Sequence, residues 1–340
     1  MKTQIPAPVL RSPHHLLAAV PFLLGFRPQA SVVVVWIRSG VIALTQRVDW
    51  PVQASHEELA TWAEAVVRPA RHVCAQGAVI LGYPPSHIDA VDSQGALPLV
   101  WLGKAIKARE TEVLDVLLVL EDGWKQVHLE SGSVAEEISL FNIQVLAEVS
   151  DDFMFSGWSF AASRDDVCAE FEPQPGAALA LVEDLEQLAE EIRSLESAEL
   201  ELWRDEVIRL LLNCCESGVV ASADRLRLAN GLRDIRVRDS VLWHLAHQLD
   251  PNTSFLAVRA LIRCLPEGQR APAATVGAIC AWLTGDGVRA TAALDIAAHE
   301  EPEYGLARLV STALANGLPP RMWQETMEQL TYDSCRNGLS

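Results

Sequence analysis

The 340-residue sequence lacks the signatures by which most α/β enzymes are recognised. It has no P-loop, no GxGxxG following a strand, no GxSxG elbow and no HExxH helix. Phosphate-cradling loops, a strained serine elbow and a paired-histidine zinc site are therefore all missing. Positive charge is scarce, with 27 Lys and Arg against 45 Asp and Glu and a net charge of −18. Such a chain repels phosphates, which argues against nucleic acid and anionic membranes as partners. No apolar run reaches the roughly 20 residues needed to span a bilayer. Leu16 to Phe26 resembles a signal-peptide core behind Lys2 and Arg11. Pro21 interrupts it, however, Arg27 follows, and Pro28-Gln29-Ala30 lacks a small-x-small cleavage pattern, so an amphipathic first helix is expected. Cys74, Cys168, Cys214, Cys215, Cys264, Cys280 and Cys335 are odd in number and include no CxxC pair. Adjacent Cys214 and Cys215 would bridge only under strain, so reduced thiols in a cytoplasmic protein are expected, most of them as small core residues.

What is present organises around Ser31 to Trp50. Val32 to Ile37 is an unbroken β-branched and aromatic run, Arg38-Ser39-Gly40 supplies a turn, and Val41 to Val48 alternates until Pro51. This reads as a hairpin whose first strand is buried on both faces and needs helices above and below. Before it, Ser12-Pro13 starts a helix that Gly25 ends, with Pro21 shortening or kinking it. After it, Ser55 and Glu58 form a capping box for a helix carrying Leu59, Trp62, Ala63, Val66 and Val67. A strand at Ala78 to Leu81, closed by Pro84-Pro85, leads through a loop to a helix near Leu97 to Ala108. The strand Val113 to Leu120 and, beyond Asp122-Gly123, the strand Trp124 to Leu129 follow.

The alternation from Val41 to Leu120 implies right-handed crossovers and a parallel core, with the Val32 and Trp124 strands antiparallel at its margins. The expected fold is an α/β domain over residues 1–150 with a mixed, partly parallel sheet of about five strands. Ala135 to Val149 reads as a helix and Ser150 to Gly157 as a loop within a linker over 151–180. An all-α domain over 181–340, a bundle or a TPR-like array, completes the chain. Its first helix carries a narrow seam of Leu181, Leu185, Leu188, Ile192 and Leu195 among Glu183, Asp184, Glu186, Glu190 and Glu191. Gly285, Asp286, Ala290, Leu294, Ala297 and Pro302 sit at tetratricopeptide offsets, but the preceding 34 residues do not repeat them. They read as one helical hairpin of repeat-like geometry, with Asp286 as a cap.

Certain motifs run the length of the chain: Leu23-Leu24-Gly25-Phe26-x-Pro28-x-x-Ser31-Val32-Val33, Arg47-Val48-Asp49-Trp50-Pro51, Ser163-Arg164-Asp165-Asp166, Arg236-Val237-Arg238-Asp239, Gly285-Asp286-Gly287 and Pro302-Glu303-Tyr304-Gly305-Leu306-Ala307. Through them the chain resembles an actinobacterial family of unknown function, and the resemblance implies no activity. Many members of that family carry a paired-cysteine motif after the strand near Leu120. This chain has Gly123-Trp124-Lys125-Gln126 there and no cysteine until Cys168, so a metal or thiol role would not transfer.

Candidate sites are few. Ligands of open α/β sheets bind beyond the carboxyl ends of the strands, here Asp49, Gly82-Tyr83 and Glu121-Asp122. Arg47 and Asp49 share a strand face and can pair, either to recognise a small ligand or to pin the loop to Pro51. Arg27 and Ser31 enter the sheet beside them, and Ser31 can alternatively satisfy backbone groups before the strand. Arg225, Arg227, Arg233, Arg236 and Arg238 form the one basic concentration. Aspartates interrupt it and no aromatic residue interleaves it for base stacking, so it is expected to face the acidic helix Glu183 to Glu191 within this chain or across a dimer. His14-His15 and the pair His244 and His247 lack carboxylate neighbours, so no metal and no cofactor is expected. These features favour a non-catalytic interaction, scaffold or ligand-sensing protein with a protein partner or a homo-oligomeric state. The alternative is a hydrolase or transferase using Arg47, Asp49 and Tyr83.

Overall fold

The computed structural model describes residues 12–86, 95–173 and 182–338. The Pro-rich lead, most of the loop after Pro84-Pro85, and Leu181 of the leucine seam lie outside the described residues. The chain divides into two compact units, Met1–Arg164 with Asn316–Leu318, and Asp165–Ala315 with Pro319–Ser340.

The first unit runs α1 (Pro13–Leu24), β1 (Ser31–Arg38), β2 (Val41–Asp49), α2 (His56–Val66), α3 (Ala70–Val73), β3 (Gly77–Tyr83), α4 (Leu97–Lys107), β4 (Glu112–Val119), β5 (Gly123–Gln126), β6 (Ser139–Leu140) and α5 (Ile143–Phe155). The strands form one mixed sheet in the order β2-β1-β3-β4-β5-β6, with β3 and β4 its single parallel pair. Ser39 and Gly40 both have positive φ, which gives the hairpin turn the twist its flanking strands require. Ser55 and Glu58 form the expected capping box on α2.

The expected strand order needs one correction. β1 is not at the margin but lies between β2 and β3, antiparallel to both. Val32 to Trp36 are wholly inaccessible to solvent. At an edge, that run would leave a row of backbone donors and acceptors unpaired, so two neighbouring strands are the favourable arrangement. β2 is therefore the edge strand, and the absence of any fully buried residue along it suits that place.

Alternate residues face opposite layers. Val32, Val34, Trp36, Ile80, Val116 and Leu118 pack with Ala63 and Val66 of α2 and Leu99, Leu102 and Ile106 of α4. On α1, Ala18, Ala19 and Phe22 meet Val149 and Phe153 of α5, with Phe22 stacked on Phe153 at 4.8 Å. Helix α5 starts later and ends later than expected. Asn142 caps it by accepting from the backbone of Gln144 and Val145, and residues 150–155, expected as a loop, are helical.

The second unit is helical: α6 (Arg164–Ala169), α7 (Val182–Arg193), α8 (Ser197–Ser217), α9 (Arg225–Arg233), α10 (Ile235–His247), α11 (Pro251–Ile262), α12 (Ala271–Leu283), α13 (Gly287–Glu300), α14 (Gly305–Ala315), α15 (Pro320–Glu328) and α16 (Tyr332–Asn337). Every residue from Ala271 to Trp282 on α12 is buried, a helix apolar all round that its neighbours enclose. The repeat-like hairpin is present as α12 and α13, and Asp286 caps α13 by accepting from the Arg289 backbone N–H at 2.9 Å. No helix among the described residues is long and apolar enough to cross a membrane.

Candidate functional site at the carboxyl end of the sheet

Ladder register gathers four of the sequence candidates at one place. Ser31 opens β1 directly opposite Asp49 at the end of β2 and Tyr83 at the end of β3. Arg47 lies opposite Val33, two residues along the same face. Ser31, Arg47, Asp49 and Tyr83 therefore share one face where β2 and β3 end, with Ser31 and Arg47 as diagonal neighbours about 7–8 Å apart between Cα atoms.

On the opposite face, the same end is sealed. Trp50 is buried, its backbone N–H donating to the Ala30 carbonyl at 3.0 Å. A Cβ at Gly82 would lie 2.7 Å from Leu99 Cδ1 and 3.0 Å from Trp50 Cζ3, so the backbone approaches both side chains too closely for any residue but glycine.

Burial on the Ser31 and Arg47 face leaves polar atoms without partners. Arg47 has a side chain only 16% exposed, whereas Asp49 is 82% exposed. The guanidinium donates from Nη1 to Asp49 Oδ1 and from Nη2 to the Gln29 carbonyl at 3.4 Å. The expected ion pair is present and also ties the edge strand to the loop entering β1. Arg47 Nε and Ser31 Oγ, both buried, have no hydrogen-bond partner among the described residues. Ser31 therefore does not serve to satisfy backbone groups, the simpler role open to it in the sequence. Two unpaired buried polar atoms on neighbouring positions are uncommon, because each costs about 1–3 kcal/mol in desolvation. Tyr83 is half-buried, and burial raises its phenol well above the ordinary value.

Arg27 belongs to the same end of the unit but not to this cluster. Its backbone N–H donates to the Ala161 carbonyl at 3.2 Å, and its guanidinium lies over the Phe160 ring, 5.4 Å from the centroid.

Arg236 and Arg238 lie in the other unit, on α10, and are already engaged. Arg236 Nη1 donates to Glu201 Oε1 at 3.1 Å. Arg238 donates from Nη2 to Asp239 Oδ1 at 2.7 Å and from Nη1 to the Tyr304 hydroxyl at 2.9 Å. Arg204 and Arg336 join the network on Glu201, Asp205 and Asp234, while Arg227 pairs with Glu206. The carboxylates that meet these arginines come largely from α8, not from the acidic stretch Glu183 to Glu191 on α7. Within the basic concentration, Arg227, Arg236 and Arg238 meet carboxylates, while Arg233 meets the neutral Gln269, which reduces the charge left for phosphates.

The histidines are also engaged individually. His14 Nε2 lies 3.2 Å from the Leu140 carbonyl, His247 stacks on Trp243 at 4.1 Å, and His244 Nδ1 lies 2.9 Å from Gln248 Oε1. No group of three or more potential metal ligands occurs among the described residues.

A family model described as a domain of unknown function, DUF4192, matches residues 13–321. No curated protein and no solved structure matches the chain.

Proposed function

The chain belongs to the DUF4192 family, a domain of unknown function, and from that premise we propose a non-catalytic protein that senses a small polar ligand through its sheet unit and meets a protein partner through its helical unit. The observation that carries the proposal is the pair of unpaired buried polar atoms, Ser31 Oγ and Arg47 Nε, on one face at the carboxyl end of the sheet. The arginine offers a donor and the hydroxyl either a donor or an acceptor. The matching ligand presents an acceptor oxygen, a carboxylate or amide carbonyl, flanked by a hydroxyl or amide group. Ser31 Oγ accepts from or donates to no base, so nothing activates it as a nucleophile, which supports binding over catalysis. The seven cysteines, with no disulfide among them, support a reducing, cytoplasmic setting, and the motif resemblance supports an actinobacterial source.

The test is a thermal-shift screen of the whole chain against a panel of small carboxylates and amides, with Arg47→Met run in parallel. A ligand at 100 times its Kd stabilises by about 2.7 kcal/mol. Hits that shift the wild type, leave Arg47→Met unmoved and are recovered chemically intact support the reading. Hits that shift both proteins equally remove the site from consideration, and consumption of a hit during incubation replaces a sensor with an enzyme.

A further inference from the structure

The segment after α6 lies on its own helical unit much as a bound peptide lies on a receptor. Two arginines from different helices reach the Glu170 carboxylate. Arg259 on α11 donates from Nη1 to Oε2 at 2.7 Å, while Arg289 on α13 donates from Nη2 to Oε1 at 2.6 Å and from Nε to Oε2 at 2.9 Å. The next residue, Phe171, is 1% exposed and meets the Phe255 ring edge-on at 6.0 Å between centroids. At Glu172 the main chain is held instead, its carbonyl accepting from Arg263 Nε at 3.2 Å. Three consecutive residues are thus held in three ways, through a carboxylate, an aromatic ring and a backbone carbonyl.

The receiving surface is arranged for this. Phe255 and Arg259 stand one turn apart on α11, with the guanidinium 5.7 Å from the ring centroid. Arg263 follows a turn later. Asp286 accepts from Arg289 Nη1 at 2.6 Å and so fixes the fork that Arg289 presents to Glu170 in bidentate fashion. Burial disfavours the Glu170 carboxylate, but the bonds from Arg289 and Arg259 outweigh it and hold its pKa below the usual range. The surface does not end at the segment. A cavity of about 250 Å³ adjoins the two arginines, lined also by Asn252, Leu256 and Thr284, and Leu256 is 47% exposed.

We infer that the surface formed by α11 and α13 recognises short acidic peptides in which a carboxylate precedes an aromatic residue, and that residues 170–172 occupy it as a resident competitor. A protein partner carrying such a sequence displaces this strap and extends into the adjoining cavity. The chemistry is that of acidic-motif recognition by clustered arginines, with an aromatic anchor supplying the buried contact. A tethered occupant acts at an effective concentration of order millimolar, so the intact chain shows a weakened apparent affinity for any free peptide. The inference concerns the helical unit alone and stands independently of the ligand proposed for the sheet.

The experiment measures binding of a fluorescein-labelled peptide, Asp-Val-Cys-Ala-Glu-Phe-Glu-Pro, to the full chain by anisotropy under reducing conditions. Glu170→Ala is expected to bind at least tenfold more tightly than the wild type, because the strap loses its arginine contacts. Adding Arg289→Ala is expected to abolish that gain, and a peptide with Ala in place of its first Glu and its Phe is expected not to bind. Glu170→Gln, which keeps the side-chain shape, provides the same comparison if Glu170→Ala unfolds. Folded variants that bind no better than the wild type, or whose binding ignores Arg289→Ala, overturn the inference and leave the strap as ordinary packing.

Discussion

Ser31→Ala should make the sheet unit more stable. Ser31 Oγ is fully buried without a hydrogen-bond partner, and a buried hydroxyl in that state costs about 1–3 kcal/mol by protein mutational data. Removing one oxygen leaves a void far smaller than a deleted methylene chain would, so most of that cost is recovered. A net gain of about 1 kcal/mol is expected, which corresponds to roughly fivefold slower opening at a tenfold change per 1.4 kcal/mol. Native-state hydrogen exchange read by mass spectrometry on peptides spanning Val32 to Trp36 isolates this unit, because these amides sit in its central strand. The same substitution should eliminate the thermal-shift response to any ligand of the sheet end. Faster exchange in Ser31→Ala by a comparable factor would mean that the hydroxyl is satisfied, for instance by an ordered water. The case for an unfilled hydrogen-bonding position would then fall with it.

Gly82→Ala should destabilise the same unit by about 1–3 kcal/mol through overpacking, because its Cβ would intrude on Leu99 and Trp50; an unchanged thermal midpoint would show that those side chains yield freely. Thiol titration with Ellman's reagent at pH 8 should label Cys74, the exposed cysteine, first. Burial pushes the Cys215 thiol up to about 11 and Cys280 well above its ordinary value, so both should react only after denaturation. Rapid native labelling of Cys215 would instead show that the helical unit opens readily.

Local chemistry made much of this fold legible in the sequence. The β1–β2 hairpin follows from a β-branched run beside Ser39-Gly40, the start of α2 from Ser55 and Glu58, and the cap of α13 from Asp286, each within a few residues of chain. Placing β1 required longer reach, since alternating strands and helices suggest neighbours in sequence order. The need of a doubly buried strand for two partners overrides that order. The start of α5 was obscured because Asn142 is one polar residue among several, and its capping role depends on the turn that follows. The sheet-end cluster was half legible: period two puts Arg47 and Asp49 on one face, but only the register brings Ser31 opposite both Asp49 and Tyr83. The partner of Arg236 was misplaced by a helix, and Arg238 meets its own neighbour Asp239 and Tyr304, because many acceptors lie within reach and sequence separation does not rank them. Glu170 gave no signal, as its two arginines lie 89 and 119 residues away.

The central position of β1 also shapes how the chain leaves the ribosome. The hairpin closes as soon as β2 is made, yet the other edge of β1 stays bare until β3 emerges. With roughly 30 residues from the end of β2 to β3 and synthesis at about 5–20 residues per second, that interval lasts a few seconds. For that time a strand with four consecutive valines presents an open ladder to whatever lies near, which makes this hairpin the place where a nascent-chain chaperone has most to shield.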